Sequence, residues 1–438
     1  VKARVLIVAR EDALAGPLSD GLGRLDWRCV TARGPEAALA AMEDFAIEAV
    51  IVDVDSMGAS ALTLPPVLKA ASAPQRLPVV ALGHADLAYD VLGFDLALTP
   101  PLHPVQAALR LEALVRAALA EEEFVLRQET FAARGKTLSA QEPFERPIEV
   151  LTVGEPTPRF LALSHAMTAA NMRVTSAFSA YTAFDYLHDA PFDAVILWSD
   201  DNPQEAVSIA SGMRRNTRFY HTPTVLCVRN DAEINLADAY QRGLSDLVST
   251  ETPEAETVRR LASLAKAYRR ESAIRRALEQ ARSSGLMDSA TGLFTRDLFA
   301  AHLHRLGQAA EARRRPLSVA VLRMPERPEM ARLRAEGWLD RATPQIGSMI
   351  GRLVRAEDTA ARLAPEVFAL ALPATRTAAR SAALRIAAVI GCTAFEAGQD
   401  RTPFTVDFDV GAAEIEPGEN PALALERAAA GAFTRQAS

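Results

Sequence analysis

Cysteine is scarce in this 438-residue chain: Cys29, Cys227 and Cys392 stand far apart and lack the spacing of a zinc site. A disulfide framework is excluded, and a reducing cytoplasm is the natural compartment. Histidine is also thin, with seven copies. His302 and His304 form a close pair, but i,i+2 on a helix points them to different faces, so no structural metal is expected. No apolar run approaches the ~18 residues that cross a bilayer. The opening Val5-Leu6-Ile7-Val8 reads as a strand, so neither a membrane span nor a secretory signal is expected. Positive charge is not in excess either. The 48 Lys+Arg against 55 Asp+Glu leave −7, which argues against nucleic acid as the main partner.

What is present is an ordinary globular composition, 49% hydrophobic and 24% charged, at a length that suggests two to four domains. Short apolar runs at Val5–Val8, Ala49–Val52, Val79–Leu82 and Leu96–Leu98 alternate with helix-period stretches such as Ala37–Met42. Strands buried on both faces read as continuous apolar runs, and parallel neighbours need crossover helices between them. The order then repeats at Ile148–Val153, Ala194–Leu197, Thr224–Val228 and Ser245–Val248. The last 150 residues differ, with strands predicted at Leu317–Leu322, Phe368–Leu372 and Phe404–Val410. The expected class is α/β multidomain: two doubly wound, flavodoxin-like domains at 1–120 and 146–270, then an α+β domain at 288–438 with a mostly antiparallel sheet.

Two stretches, 121–145 and 271–287, read as linkers. The first continues a helix over Gln106–Arg134 that carries the acidic triplet Glu121-Glu122-Glu123 and stops at Gly135-Lys136. The second continues a helix over Glu256–Arg282 with Leu261, Leu264, Tyr268 and Leu278 near helical spacing. Each is either a solvated helix packing on its own domain or a helix that relays or dimerises.

The two repeated units resemble receiver domains of two-component response regulators. The resemblance implies an aspartate at the end of the third strand that accepts a phosphoryl group, an acidic pair for Mg²⁺, and a Ser/Thr and a Lys that stabilise charge. In the first unit Asp53 stands at the acceptor position. Ala9 and Arg10 replace the acidic pair, with Glu11 and Asp12 just after; Gly83 takes the hydroxyl position and Pro100, before Pro101, the lysine position. Asp53 is therefore either an acceptor helped by Glu11 or Asp12, or a relic on a protein-binding scaffold. In the second unit Trp198 occupies the acceptor position, with Asp200 and Asp201 beyond it in the loop. An indole takes no phosphoryl group, so this unit is expected to be an adaptor.

Asp288-Ser289-Ala290-Thr291-Gly292-Leu293-Phe294-Thr295-Arg296-Asp297-Leu298-Phe299 resembles the opening motif of GGDEF domains, D-x-L-T-G-L-x-N-R-R-x-F. With two receivers upstream, the chain is similar to the receiver–receiver–GGDEF family of cyclic di-GMP proteins. That family includes both cyclases and non-catalytic effectors. Its cyclases hold Mg²⁺ and triphosphate on carboxylates. Where the first of these is expected, this sequence has Arg323, a donor that stays protonated and ligates no metal. The signature hairpin reads Ala364-Pro365-Glu366-Val367-Phe368. Both glycines are gone, Pro365 removes a donor, and Val367 replaces one acid. Glu366 and Asp340 remain, Asp340 where the family recognises guanine. The A-D-x-A-L-Y-x-A-K segment has become Arg427-Ala428-Ala429-Ala430-Gly431-Ala432-Phe433. No catalysis and no catalytic cofactor are expected; a weak cyclase using Glu366 and Asp340 is the alternative.

Arg355-Ala356-Glu357-Asp358 matches the family's R-x-x-D allosteric motif, with residues 359–363 between it and the altered hairpin. A guanidinium fork donates to guanine O6 and N7, and a carboxylate accepts from guanine N1–H and the amino group. The resemblance thus implies cyclic di-GMP as a regulatory ligand at Arg355 and Asp358. Arg385, or Arg380 on the same predicted helix, and Arg313-Arg314-Arg315, above all Arg315, are candidates for its phosphodiesters. The other reading of the tetrad is an i,i+3 surface ion pair of a few tenths of a kcal/mol. The resemblance to the non-catalytic effectors of that family further implies a homodimer and protein adaptors of a ClpXP-type protease pathway at a cell pole. A phosphorylation-gated scaffold that binds no nucleotide is the third possibility.

Overall fold

Strands that are buried on both faces carry no polar alternation, and the first sheet follows that rule. The chain forms β1 (Arg4–Val8), α1 (Asp12–Gly23), β2 (Arg28–Ala32), α2 (Pro35–Asp44), β3 (Ala49–Asp53), α3 (Val54–Met57), α4 (Ala59–Ser72), β4 (Val79–Leu82), β5 (Leu96–Leu98) and α5 (Pro104–Ala132). Every pairing is parallel, in the order β2-β1-β3-β4-β5. Central β3 and β4 are buried along their whole length, whereas the edge strand β2 is buried only at Ala32.

The second sheet repeats the first. It comprises β6 (Ile148–Val153), α6 (Pro158–Ala169), β7 (Met172–Ala177), α7 (Ala180–Asp189), β8 (Ala194–Ser199), α8 (Pro203–Arg215), β9 (Thr224–Val228), β10 (Asp246–Ser249) and α9 (Glu254–Gln280). The order is β7-β6-β8-β9-β10, again all parallel. Both sheets thus show the flavodoxin-like order 2-1-3-4-5, with its switch point beside the first strand. The registers coincide as well. Val8 faces Val52 one residue before Asp53, and Val153 faces Leu197 one residue before Trp198.

This computed structural model describes residues 4–83, 92–98, 104–140, 146–199, 203–216, 218–229, 234–235, 238–239, 242–396 and 403–433. Pro100, Pro101, Asp200 and Asp201 lie outside the described residues. Two units divide the chain: Val1–Ala118 with Glu142–Ser272, and Leu119–Gln141 with Ala273–Ser438. In the first unit, Arg110 of α5 grips Asp246 of β10 through two bonds of 2.9 and 2.7 Å, both groups buried. No helix is long and apolar enough to cross a membrane among the described residues.

The second unit contains β11 (Phe294–Thr295), α10 (Arg296–Ala312), β12 (Ser318–Arg323), α11 (Pro328–Ala335), α12 (Trp338–Leu353), β13 (Thr359–Ala364), β14 (Val367–Leu372), α13 (Arg376–Gly391), β15 (Asp409–Glu414) and α14 (Pro421–Phe433). Its sheet runs β11-β13-β14-β12-β15, antiparallel except at β11–β13. The expected strand Phe404–Val410 is corrected to Asp409–Glu414. Phe404 instead makes an isolated bridge with Phe395, and Val406 is buried in irregular backbone. Residues 359–363, read as a spacer, belong to β13.

The stretch read as a linker at 121–145 is also different. Phe124, Phe131 and Leu138 are buried in one core with Ile274, Phe294, Phe299 and Val319. Phe131 meets Phe294 edge-on, with centroids 5.9 Å apart. The apolar positions of this helix end therefore serve the second unit, and Leu119–Gln141 is part of it.

Candidate functional site

The R-x-x-D tetrad sits where α12 hands over to β13. One face of α12 is buried through Leu339, Ala342, Ile346, Ile350 and Leu353, which fixes the exit direction of the chain. Gly347 lets α12 approach the opening motif: a Cβ there would lie 2.3 Å from Thr291 Cβ. The tetrad itself is a turn. Asp358 Oδ2 accepts from Arg355 N–H at 3.0 Å, and Asp358 N–H donates to the Arg355 carbonyl at 3.2 Å. The i,i+3 helical ion pair is therefore not formed.

The two charged side chains of the tetrad differ in environment. Arg355 is 41% exposed, with its guanidinium 3.8 Å from Glu357, while Asp358 is buried at 9%. Burial pushes the Asp358 carboxyl above its usual range, Arg355 opposing it by charge and by its backbone N–H, Glu123 adding to the rise and Arg127 opposing it.

A brace on the turn comes from outside the α+β sequence. Arg127 of α5, 2% exposed, donates to the carbonyls of Ala356 and Asp358 at 3.0 and 2.8 Å. Its Nε donates to Glu123 at 2.6 Å. Glu123 also accepts from Thr359 Oγ1 and from His302 Nε2, the latter at 3.0 Å. His302 Nδ1 lies 3.0 Å from Thr130 Oγ1, and the ring is fully buried. His304, on the same helix, is exposed, as the spacing of the pair requires. The sequence signal for this brace is Glu123 and Arg127 at i,i+4 with Phe124 and Phe131 beside them; neither the solvated-helix nor the relay reading of the stretch anticipates it.

The candidate arginines are distributed differently from expectation. Arg313 and Arg315 both donate to Glu122 Oε2, at 2.6 and 2.9 Å, and are largely buried. They line one cavity with Glu357, so Arg315 borders the tetrad but is engaged by a carboxylate. Arg314 has a left-handed backbone, φ 50°. Arg385 is exposed and Arg380 half-buried on α13, which packs against α12.

At the altered hairpin, Arg323 ends β12, opposite Val367 of β14 and Asp409 of β15. Glu366 is held by both arms of the Arg334 guanidinium. The Pro365 carbonyl accepts from Arg362 at 3.1 Å, and the Pro365-Glu366 turn closes without a positive φ. Asp340 is exposed in the first turn of α12. A guanidinium, a valine and a carboxylate already paired with arginine do not fit Mg²⁺, which needs oxygen ligands in near-octahedral array. Among the described residues, no group of three or more His, Cys, Asp or Glu is placed to hold a metal ion.

The opening motif is organised locally. Asp288 Oδ1 accepts from Thr291 N–H at 2.8 Å and Thr291 Oγ1 at 2.6 Å. Burial raises the Asp288 pKa, but these bonds and Arg362 outweigh it and leave it lowered.

In the first unit Asp53 is buried, and its Oδ1 caps α3 by accepting from Asp55 and Ser56 N–H at 3.1 and 3.0 Å. Asp12 pairs with Arg33 at 2.9 Å, and Glu11 is exposed. Gly83, at φ 152°, leaves no room for a hydroxyl: a Cβ would lie 2.7 Å from Asp55 Oδ1. Trp198 is buried against Phe160, centroids 5.9 Å apart.

With this geometry in place, comparison with known proteins identifies the C-terminal part. Residues 285–435 match the family model "Diguanylate cyclase, GGDEF domain", and the chain has a GGDEF domain there. The coiled coil and GGDEF domain of DgcB from Caulobacter crescentus, solved in complex with c-di-GMP, is similar at 23% identity and a TM-score of 0.33; the match covers 42% of this chain and 94% of that one. The diguanylate cyclase SiaD from Pseudomonas aeruginosa, in complex with its activator SiaC, is similar at 22% identity and 0.33, over 42% and 70%. The receiver domain of the sensor histidine kinase PA1611 from Pseudomonas aeruginosa matches at 17% identity and 0.26, over 27% and 98%. Among curated proteins, none gives a match.

Proposed function

We propose that this protein is a cyclic di-GMP effector without cyclase activity, binding the dinucleotide at the Arg355–Asp358 turn. The observation that carries the reading is an ordered R-x-x-D turn beside a hairpin whose metal-holding acids are replaced or paired. Arg355, open to solvent, is the donor fork for guanine, and Asp358 is the acceptor. Arg385 and Arg380 on α13 are the nearby candidates for a phosphodiester. The two flavodoxin-like sheets act as receiver-derived surfaces for partners and dimerisation; Trp198 bars phosphotransfer on the second, and Asp53 on the first serves as a helix cap.

By resemblance to the non-catalytic effector PopA, the partners are adaptors of a ClpXP-type protease pathway. The same resemblance gives a cytoplasmic homodimer recruited to a cell pole.

Two assays on the full chain test the reading. Calorimetry with cyclic di-GMP should give saturable heat that Arg355→Ala abolishes, and incubation with GTP and Mg²⁺ or Mn²⁺ should give no dinucleotide. Turnover lost on Glu366→Ala would establish the weak-cyclase alternative instead.

A further inference from the structure

We infer that Glu122 of α5 is an intrachain competitor for the dinucleotide, occupying with its carboxylate the arginine pair, Arg313 and Arg315, that would otherwise take a phosphodiester. The inference rests on the cyclic di-GMP reading above and adds a regulator to it. Both guanidinium groups converge on one oxygen, Glu122 Oε2, at 2.6 and 2.9 Å. Two forks aimed at a single anionic oxygen is an arrangement that also suits a phosphodiester oxygen. Burial is the largest influence on Arg313 and pulls its pKa down, with Arg315 adding to the fall and Glu122 opposing it. Two arginines this close, and largely out of water, need a negative partner. Glu122 supplies that charge, and so would the ligand.

The location links this arginine pair to the tetrad. Arg313, Arg315, Glu122 and Glu357 line one cavity of about 40 Å³, and Glu357 is the residue before Asp358. That volume is near the room taken by one water, against several hundred Å³ for a site enclosing a small molecule. A dinucleotide seated on the turn therefore reaches the arginine pair only with a phosphodiester, and only when the Glu122 side chain rotates out. The helix itself stays anchored by Phe124 and Phe131, which are buried in the core of the same unit. A ligand that must displace an internal competitor binds more weakly by the fraction of molecules in which the competitor is already away. Affinity for the messenger is then set from α5, outside the GGDEF domain.

Calorimetric titration of the full chain with cyclic di-GMP, wild type beside Glu122→Gln, tests this. Glutamine keeps the shape and removes the charge, so the variant should bind about tenfold more tightly, and Arg315→Gln should bind more weakly than wild type. Unchanged or weaker binding by folded Glu122→Gln, with Arg355→Ala still abolishing binding, would overturn the competitor and leave the tetrad reading standing. If Glu122→Gln fails to fold, Arg315→Gln decides: weaker binding supports the competitor, and unchanged binding removes it. Absence of heat in every protein removes both proposals.

Discussion

Arg127 and Asp358 are joined by a 2.8 Å hydrogen bond from a buried guanidinium to a main-chain carbonyl. They are 231 residues apart in the chain. The Arg355–Asp358 turn of the GGDEF domain is thus held in shape by the C-terminal part of α5, which belongs to the same unit. Replacing Arg127 with methionine leaves Glu123 buried without its cation and two carbonyls without their donor. The expected cost is about 3–5 kcal/mol, seen as a lower urea midpoint of the second unit's transition, with weaker cyclic di-GMP binding.

Phe131 is fully buried against Phe294 and forms part of the same core. Phe131→Ala should destabilise the second unit by about 3–5 kcal/mol. A linker helix in solvent would give a change near zero in the same denaturation experiment.

The Asp358 carboxyl has its pKa raised in the folded protein by burial. The native state then holds its proton at a pH where the unfolded chain has released it, so stability falls as pH rises. The fall begins near the ordinary carboxylate range and ends once pH has passed the raised folded value. Below the ordinary value the full contribution is present. Asp358→Asn should flatten that part of the stability–pH curve, measured by urea unfolding at a series of pH values. An unchanged slope in the variant would assign the dependence to other groups.

Asp53 caps α3 through its side chain. Asp53→Ala should cost about 1 kcal/mol, and Asp53→Asn only a few tenths, because asparagine caps as well. Incubation of the wild type with a small-molecule phosphodonor should leave Asp53 unmodified, as judged by intact mass. An added phosphate removed by Asp53→Asn would restore the receiver chemistry.

Much of the architecture was written in the residues that are buried on both sides. The runs at Val5–Val8, Ala49–Val52, Ala194–Leu197 and Thr224–Val228 became central parallel strands because nothing polar interrupts them. Edge strands β2 and β7 escaped notice because residues such as Arg28 and Arg173 face solvent. The alternation Phe404-Thr405-Val406 imitated a strand, but Phe404 and Val406 are buried without ladder pairing. The tetrad was legible through its spacing to the altered hairpin. Its brace was not, since Glu122, Glu123 and Arg127 look like a solvated charge run until the fold brings Arg313, Arg315 and His302 against them.

The central claim is that the Arg355–Asp358 turn receives cyclic di-GMP in a chain that does not make it. Equilibrium titration of this chain with cyclic di-GMP, in parallel with Arg355→Ala, tests it most directly. The account requires saturable binding by the wild type that the substitution removes while the unfolding midpoint stays within about 0.5 kcal/mol, as expected for an exposed side chain. Equal isotherms for the two proteins, or no binding by either, would contradict it.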